Sequence, residues 1–246
     1  MKKLDLNAIA AHLESLEETI IFKLIDRAQW KTNRIIYEKG RSGFKNNTTH
    51  SLFELRLLYQ ERMDAEFGRF CVPEERPFNS ELPAPQREVT IPETGLCTND
   101  FNVVNLTHEI LDDYLALIPG ICRDGDDEQY GSSVEHDVFA VQAVSRRIHY
   151  GSFYVAESKY RSNSSTLKPL IEAKDYEGLY EALTRKDVEK AIIARVQEKV
   201  ISVQARMRHE IRHTVEPKTV LQFYHDCIIP TTKKGEVLYL LQRPLT

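Results

Sequence analysis

The apolar positions of the chain recur mainly at three- and four-residue spacing. In LNAIAAHLESLEETIIFKLIDRAQW, Leu6, Ile9, Leu13, Leu16, Ile20, Leu24 and Ile25 repeat on one face, which predicts an amphipathic helix of about seven turns. A second helix is predicted over 51–70, opened by Ser51 with Glu54 three residues on, the spacing of a capping box. Helical spacing returns at 107–117 and should stop at Pro119-Gly120, because proline supplies no N–H to the ladder. Further helices are expected over 132–150, 153–161, 167–173, 176–183, 187–213, 217–228 and 232–242. Alternation with a period of two is scarce, so the chain reads as all-α. The segment 71–100 breaks the pattern. Pro73, Pro77, Pro83, Pro85 and Pro92 with few periodic apolar residues predict a long surface loop. It reads as a crossing connection inside one domain spanning 1–246.

Composition narrows the function. A chain of 246 residues, 41% apolar and 28% charged, can bury a substantial core. Its net charge of −4 argues against a nucleic-acid or membrane-surface partner. The start, MKKLDLNAIAAHLESLEE, has no apolar run behind its lysines and does not read as a signal peptide. No stretch reaches the roughly 18 apolar residues of a membrane span, so a cytoplasmic location is expected. Cys71, Cys97, Cys122 and Cys227 are far apart and form no metal-binding cluster, which fits reduced thiols. The stretch RDGDDEQYGSS places Asp124, Asp126 and Asp127 around Gly125. It lacks the sixth-position Gly and the distal Glu of a calcium loop, so these aspartates are expected to cap turns. The basic stretch QARMRHEIRHTV reads as a solvated helix end.

One segment resists this structural reading. SRRIHYGSFYVAESK carries Arg147 behind a stripe of Ala140, Ala143 and Val144, and Lys159 twelve residues later. A cation on an apolar stripe needs either a buried acid or a ligand. Twelve residues leave Arg147 and Lys159 about 120° apart on a straight helix, whereas eleven would align them. A shared ligand therefore requires a one-residue bulge or break near Gly151-Ser152, and such bulges are frequent at functional sites. Arg185 and Glu189, and Thr232 and Glu236, are also four apart. Taken alone, each is an exposed helix pair.

The strings RDGDD, GS and SRRIH.G.F.VAE.K, with LESLEETIIFKLIDR, DYEGLYEALTRKDVE and IIPTTKKGEVLYLLQR, resemble the all-helical chorismate mutases of the yeast and plant type. The match runs from about Leu6 to Arg243. The resemblance implies an isomerase that rearranges chorismate to prephenate towards Phe and Tyr, without cofactor or metal. It also implies a homodimer with an effector site near the subunit interface. By motif, Arg147 would bind a substrate carboxylate and Lys159 would bridge a carboxylate and the ether oxygen. Glu189 would accept from the ring hydroxyl, Thr232 would help hold a carboxylate, and Glu236 would face the ether oxygen in its protonated form.

This chain departs from that pattern in several places. The family's substrate-binding Arg on the first helix aligns with Ala10. No neighbour replaces it, since Lys2 and Lys3 lie two turns away and His12 points to another face. The family's Asn one turn before Glu189 is Arg185 here, a candidate for the missing cation. In the effector pocket, Gly131 and Ser132 persist, but a double Arg is reduced to Gly68-Arg69, and the Thr that follows Gly-Ser aligns with Glu135. Effects of Tyr or Trp would then rest on Arg69, Gly131 and Ser132. The alternative reading is a related protein with weak or no activity, kept for binding or regulation.

Overall fold

The computed structural model describes residues 4–98 and 100–244. Among them there is no strand. The helices are α1 (Leu6–Arg27), α2 (Leu52–Glu66), α3 (Thr107–Ile121), α4 (Tyr130–Tyr150), α5 (Ala156–Ser162), α6 (Ser164–Glu172), α7 (Tyr176–Leu183), α8 (Lys186–Gln204), α9 (Pro217–Phe223) and α10 (Ile229–Gln242). Among the described residues no helix is long and apolar enough to cross a membrane.

Local chemistry sets several of these boundaries. Ser51 accepts from the Glu54 N–H while Glu54 accepts from the Ser51 N–H, so the capping box that the sequence predicts starts α2. The Asp5 side chain caps α1 by accepting from the Asn7 N–H, and the Asp175 side chain caps α7 by accepting from the Gly178 N–H. Among the described residues, 72–98 and 100 run as a loop. The Asp127 carboxylate accepts from the Lys31 and Gln129 backbones and from Asn33, which makes it a turn-forming group.

Three expected helix ends are corrected. The third helix does not stop at Pro119. It continues to Ile121, because a proline in the last turn removes only one ladder bond, and the Cys122 N–H still reaches the Ile118 carbonyl. The helix expected to reach residue 213 ends at Gln204. There the Gln204 amide both donates to and accepts from the Val215 backbone, closing the basic stretch into turns. Finally, 217–242 is continuous where a break was expected. A π turn over Tyr224–Ile228 precedes Pro230. Its wider spacing accommodates a ring that would otherwise meet the preceding turn.

α4 is the central helix, with α1, α2, α3 and α10 packed around it. One apolar cluster joins α1–α4, α8 and α9 through residues such as Ile20, Leu24, Ile110, Val141, Val196 and Phe223. A second joins α5, α6, α7 and α10 through Phe153, Leu167, Leu179 and Tyr239. Leu238 packs against both clusters.

Between α4 and α5 the helix axis continues through a π turn, Gly151–Val155. This is where the Arg147–Lys159 spacing requires a bulge. The turn packs against α10 through two missing side chains. A Cβ on Gly151 would come within 2.6 Å of Thr232 Cγ2, and one on Gly235 would overlap the Ser152 hydroxyl. The two helices thus interlock at the level of Thr232.

Candidate active site

A cavity of about 430 Å³ opens between α1, the end of α4, α5, the start of α8 and α10. Arg147, Lys159, Arg185, Glu189, Thr232 and Glu236 all line it. The structure therefore brings together every catalytic candidate that the sequence singles out. The remaining wall is largely apolar: Leu6, Ile9, Leu13, Val155, Val188 and Ile192.

Arg147 is buried, and its Nη1 donates to Thr232 Oγ1 at 2.9 Å. Thr232 in turn donates to the Ile228 carbonyl at 2.6 Å, which fixes the hydroxyl. The expectation of a buried acid holds in part. A buried acid is present, since Arg147 Nη2 lies 3.7 Å from Glu17 Oε1. But Arg195 already grips Glu17 with two donors at 2.9 Å, so Glu17 does not saturate Arg147. The Arg147 Nε is buried with no partner among the described residues.

Lys159 donates to Glu236 Oε2 at 2.7 Å and to the Leu183 carbonyl at 2.9 Å. The π turn brings it to the same cavity as Arg147. Glu236 is buried, and burial raises its pKa above the ordinary carboxylate range. The charges of Lys159, Lys233 and Arg147 oppose that rise but do not cancel it. Thr232 and Glu236 are thus buried, in contrast to the exposed pair that their spacing alone suggests. Arg185 sits at the N-cap of α8, lines the cavity mouth and keeps its side chain 63% exposed, 3.3 Å from Asp187.

Ala10 lines the cavity directly, so no cation from α1 reaches it among the described residues. His12 is not part of the wall; its ring lies 4.3 Å from that of Tyr150. Lys2 and Lys3 lie outside the described residues.

Two residues escape the sequence reading. Lys233 lines the cavity, pairs with Glu189 at 2.7 Å and stands 4.7 Å from the Tyr180 ring centroid. Its signal is its position three residues before Glu236 on one helical face. Glu17 is fully buried; its signal is a carboxylate inside the apolar stripe of α1.

The effector candidates are not brought together within the chain. Arg69 donates to Asp64 at 2.7 Å, Glu75 at 3.0 Å and Gln142 at 2.7 Å. Gln142 stands roughly 15 Å along α4 from Gly131 and Ser132.

An all-helical protein with four cations, a hydroxyl and an elevated carboxyl around one small cavity is built to hold a compact, multiply charged anion. The comparisons with known proteins agree. The chorismate mutase of Schizosaccharomyces pombe is 36% identical over 251 residues, spanning 99% of this chain and 98% of that protein. Chorismate mutase 2 of Petunia hybrida is 36% identical over 253 residues, spanning 98% and 94%. Among solved structures, Aro7p chorismate mutase from Candida albicans, in complex with L-Trp, superposes with a TM-score of 0.90 at 33% identity, covering 98% of this chain and 92% of that one. AtCM1 with phenylalanine bound in its allosteric site gives 0.88 at 32%, covering 98% and 96%. No family model matches the chain. The chain belongs to the all-helical chorismate mutases of fungi and plants.

Proposed function

We propose that this chain rearranges chorismate to prephenate by clamping the substrate's reactive conformer in the α1–α4–α5–α8–α10 cavity. The observation that carries this reading is the convergence of Arg147, Lys159, Thr232 and Glu236 on one cavity across a π turn. The reaction is unimolecular, so positioning and electrostatics supply the catalysis. The guanidinium of Arg147, fixed by Thr232, takes one carboxylate. Lys159 bridges a carboxylate and the ether oxygen, where negative charge grows as the C–O bond breaks. Lys159 engages one oxygen of Glu236, which leaves the other to carry the proton and donate to the ether oxygen. Glu189 accepts from the ring hydroxyl, and Lys233 holds Glu189 in place. Arg185 supplies the cation that Ala10 cannot.

The test is loss of chorismate absorbance with prephenate formation. Arg147→Ala and Lys159→Ala should each lower kcat/KM by about a hundredfold or more. A folded wild-type protein inert towards chorismate would overturn the reading and favour a binding role. The relatives are chorismate mutases, and none of them points to that second role.

We propose further that residues 1–246 act as one domain, a reading supported by Leu238, which ties both apolar clusters together. The cytoplasm is the compartment this reading fits. The chain pairs as a homodimer. That proposal is supported by Tyr59, Met63 and Phe67, which repeat every four residues along α2 and its C-cap and are exposed, with Phe44 stacked on Tyr59. Tyr and Trp are weak effectors in this proposal, because Arg69 is already held by two carboxylates.

A further inference from the structure

The π turn Gly151–Val155 carries a fully buried hydroxyl, that of Ser152. The residue after it, Phe153, is a core aromatic set edge-on to Phe101 and Tyr239. The turn meets α10 so closely that a Cβ on Gly235 would lie 2.6 Å from the Ser152 Cβ, so a small side chain is required at 152. Alanine would meet that requirement. A buried hydroxyl costs free energy unless it is hydrogen-bonded, and the partners of this one define its role.

Ser152 Oγ donates to the Ile148 carbonyl at 2.8 Å and reaches the Thr232 carbonyl at 3.4 Å. The first bond runs back four residues into the helix ladder, where a competing hydroxyl bends a helix and loosens its regular bonds. It therefore favours widening at this level rather than elsewhere along the helix. The second contact ties the turn to α10. Both acceptors adjoin the proposed clamp. Ile148 follows Arg147, whose Nη1 donates to Thr232 Oγ1 at 2.9 Å. Thr232 stands one turn before Glu236, which accepts from Lys159 at 2.7 Å. Ser152 thus touches the backbones of α4 and α10 between the Arg147–Thr232 pair and the Lys159–Glu236 pair.

We propose that Ser152 is a positioning residue of the active site: its hydroxyl fixes where the helix widens and registers that turn against α10, so that Lys159 faces Glu236 while Arg147 faces Thr232. Its effect on turnover rests on the mutase reading above; its effect on the Lys159–Glu236 pair is read without substrate.

Ser152→Ala keeps the small side chain and removes the donor. Loss of register should lower kcat/KM by about ten- to a hundredfold, mainly through kcat, because orientation rather than contact is lost. A chain with Tyr154 deleted has no extra residue to place, so there Ser152→Ala should cost less than about twofold. The second readout is the Glu236 carboxyl carbon, followed by NMR across pH in the free protein. Glu236 faces Lys159 on α5, Arg147 on α4 and Lys233 on its own helix, and all three oppose the rise that burial causes. Withdrawal of Lys159 should raise the Glu236 pKa further in Ser152→Ala. Gly235→Ala, which opens the same contact from α10, should raise it too, and Lys159→Met sets the size of the full effect. An unmoved Glu236 titration in folded Ser152→Ala would overturn the proposal whatever the turnover. So would an equally large loss of kcat/KM in the Tyr154 deletion background, the mark of a side chain that only supports the fold. A native chain inert towards chorismate, with a Glu236 pKa that still rises in Ser152→Ala, would support the positioning role and overturn the mutase reading instead.

Discussion

At the scale of single residues, Glu236 couples structure to pH. Burial pushes its carboxyl upward, and three nearby cations fail to offset that push. The protonated form donates to the developing oxyanion; the ionised form repels it. Activity should therefore hold while pH lies below the raised pKa and decline as pH climbs through it. Glu236→Gln keeps a neutral donor at every pH, so its kcat/KM profile should lose that alkaline limb. An unchanged limb in the variant would remove Glu236 from the mechanism. Ala10 permits a test of opposite sign. A charged hydrogen bond contributes about 1.5–3 kcal/mol, so Ala10→Arg should raise kcat/KM by roughly one to two decades. Arg185→Ala should cost a similar amount in the native chain and much less in the Ala10→Arg background, because the two cations serve one carboxylate. Near-normal kinetics for Arg185→Ala would show that its exposed side chain contributes nothing to the clamp.

At the scale of elements, the π turn decides which side chains face each other. Tyr154 lies within the turn and stacks on Tyr150 at 4.4 Å. Deleting Tyr154 places the lysine eleven positions after Arg147, a spacing that an ordinary α-helix brings within about 20° of alignment. The deletion variant should keep activity within about tenfold of the native chain. Inserting an alanine after Tyr154 should swing Lys159 by about 100° and lose about a hundredfold or more. Equal activities in the two variants, measured on folded protein by chorismate absorbance, would refute the geometric role of the turn.

This turn also marks what the chain disclosed in advance. The bulge was legible because two charges twelve apart cannot share a ligand otherwise. α7 and the Ser51 cap were legible because their signals are local. The wider turn before Pro230 was not, since a proline signals a break or a bulge alike, and only the packing of Tyr224 and Ile228 in the interior shows which. Lys233 was missed for a similar reason. Its partner Glu189 lies on another helix, and only the fold shows that they meet.

At the scale of the whole molecule, the active-site cavity is built from one chain, whereas the exposed apolar stripe of α2 awaits cover. Tyr59, Met63 and Phe67 leave a ridge on which Phe67 alone is 68% exposed. In the homodimer we propose, this ridge packs against a second copy. The native protein should then sediment at twice the 28.5 kDa chain mass. Met63→Glu with Phe67→Asp, placing two like charges in the seam, should yield monomers, because buried unpaired charge is costly. Since every residue of the proposed clamp belongs to one chain, those monomers should keep chorismate turnover. Any response to Tyr or Trp should stay below the roughly 5-fold of an ordinary allosteric coupling in both forms. A native monomer, or a double variant that still sediments as a dimer, would refute α2 as the seam; a monomer that is folded but inactive would mean that the second copy completes the site.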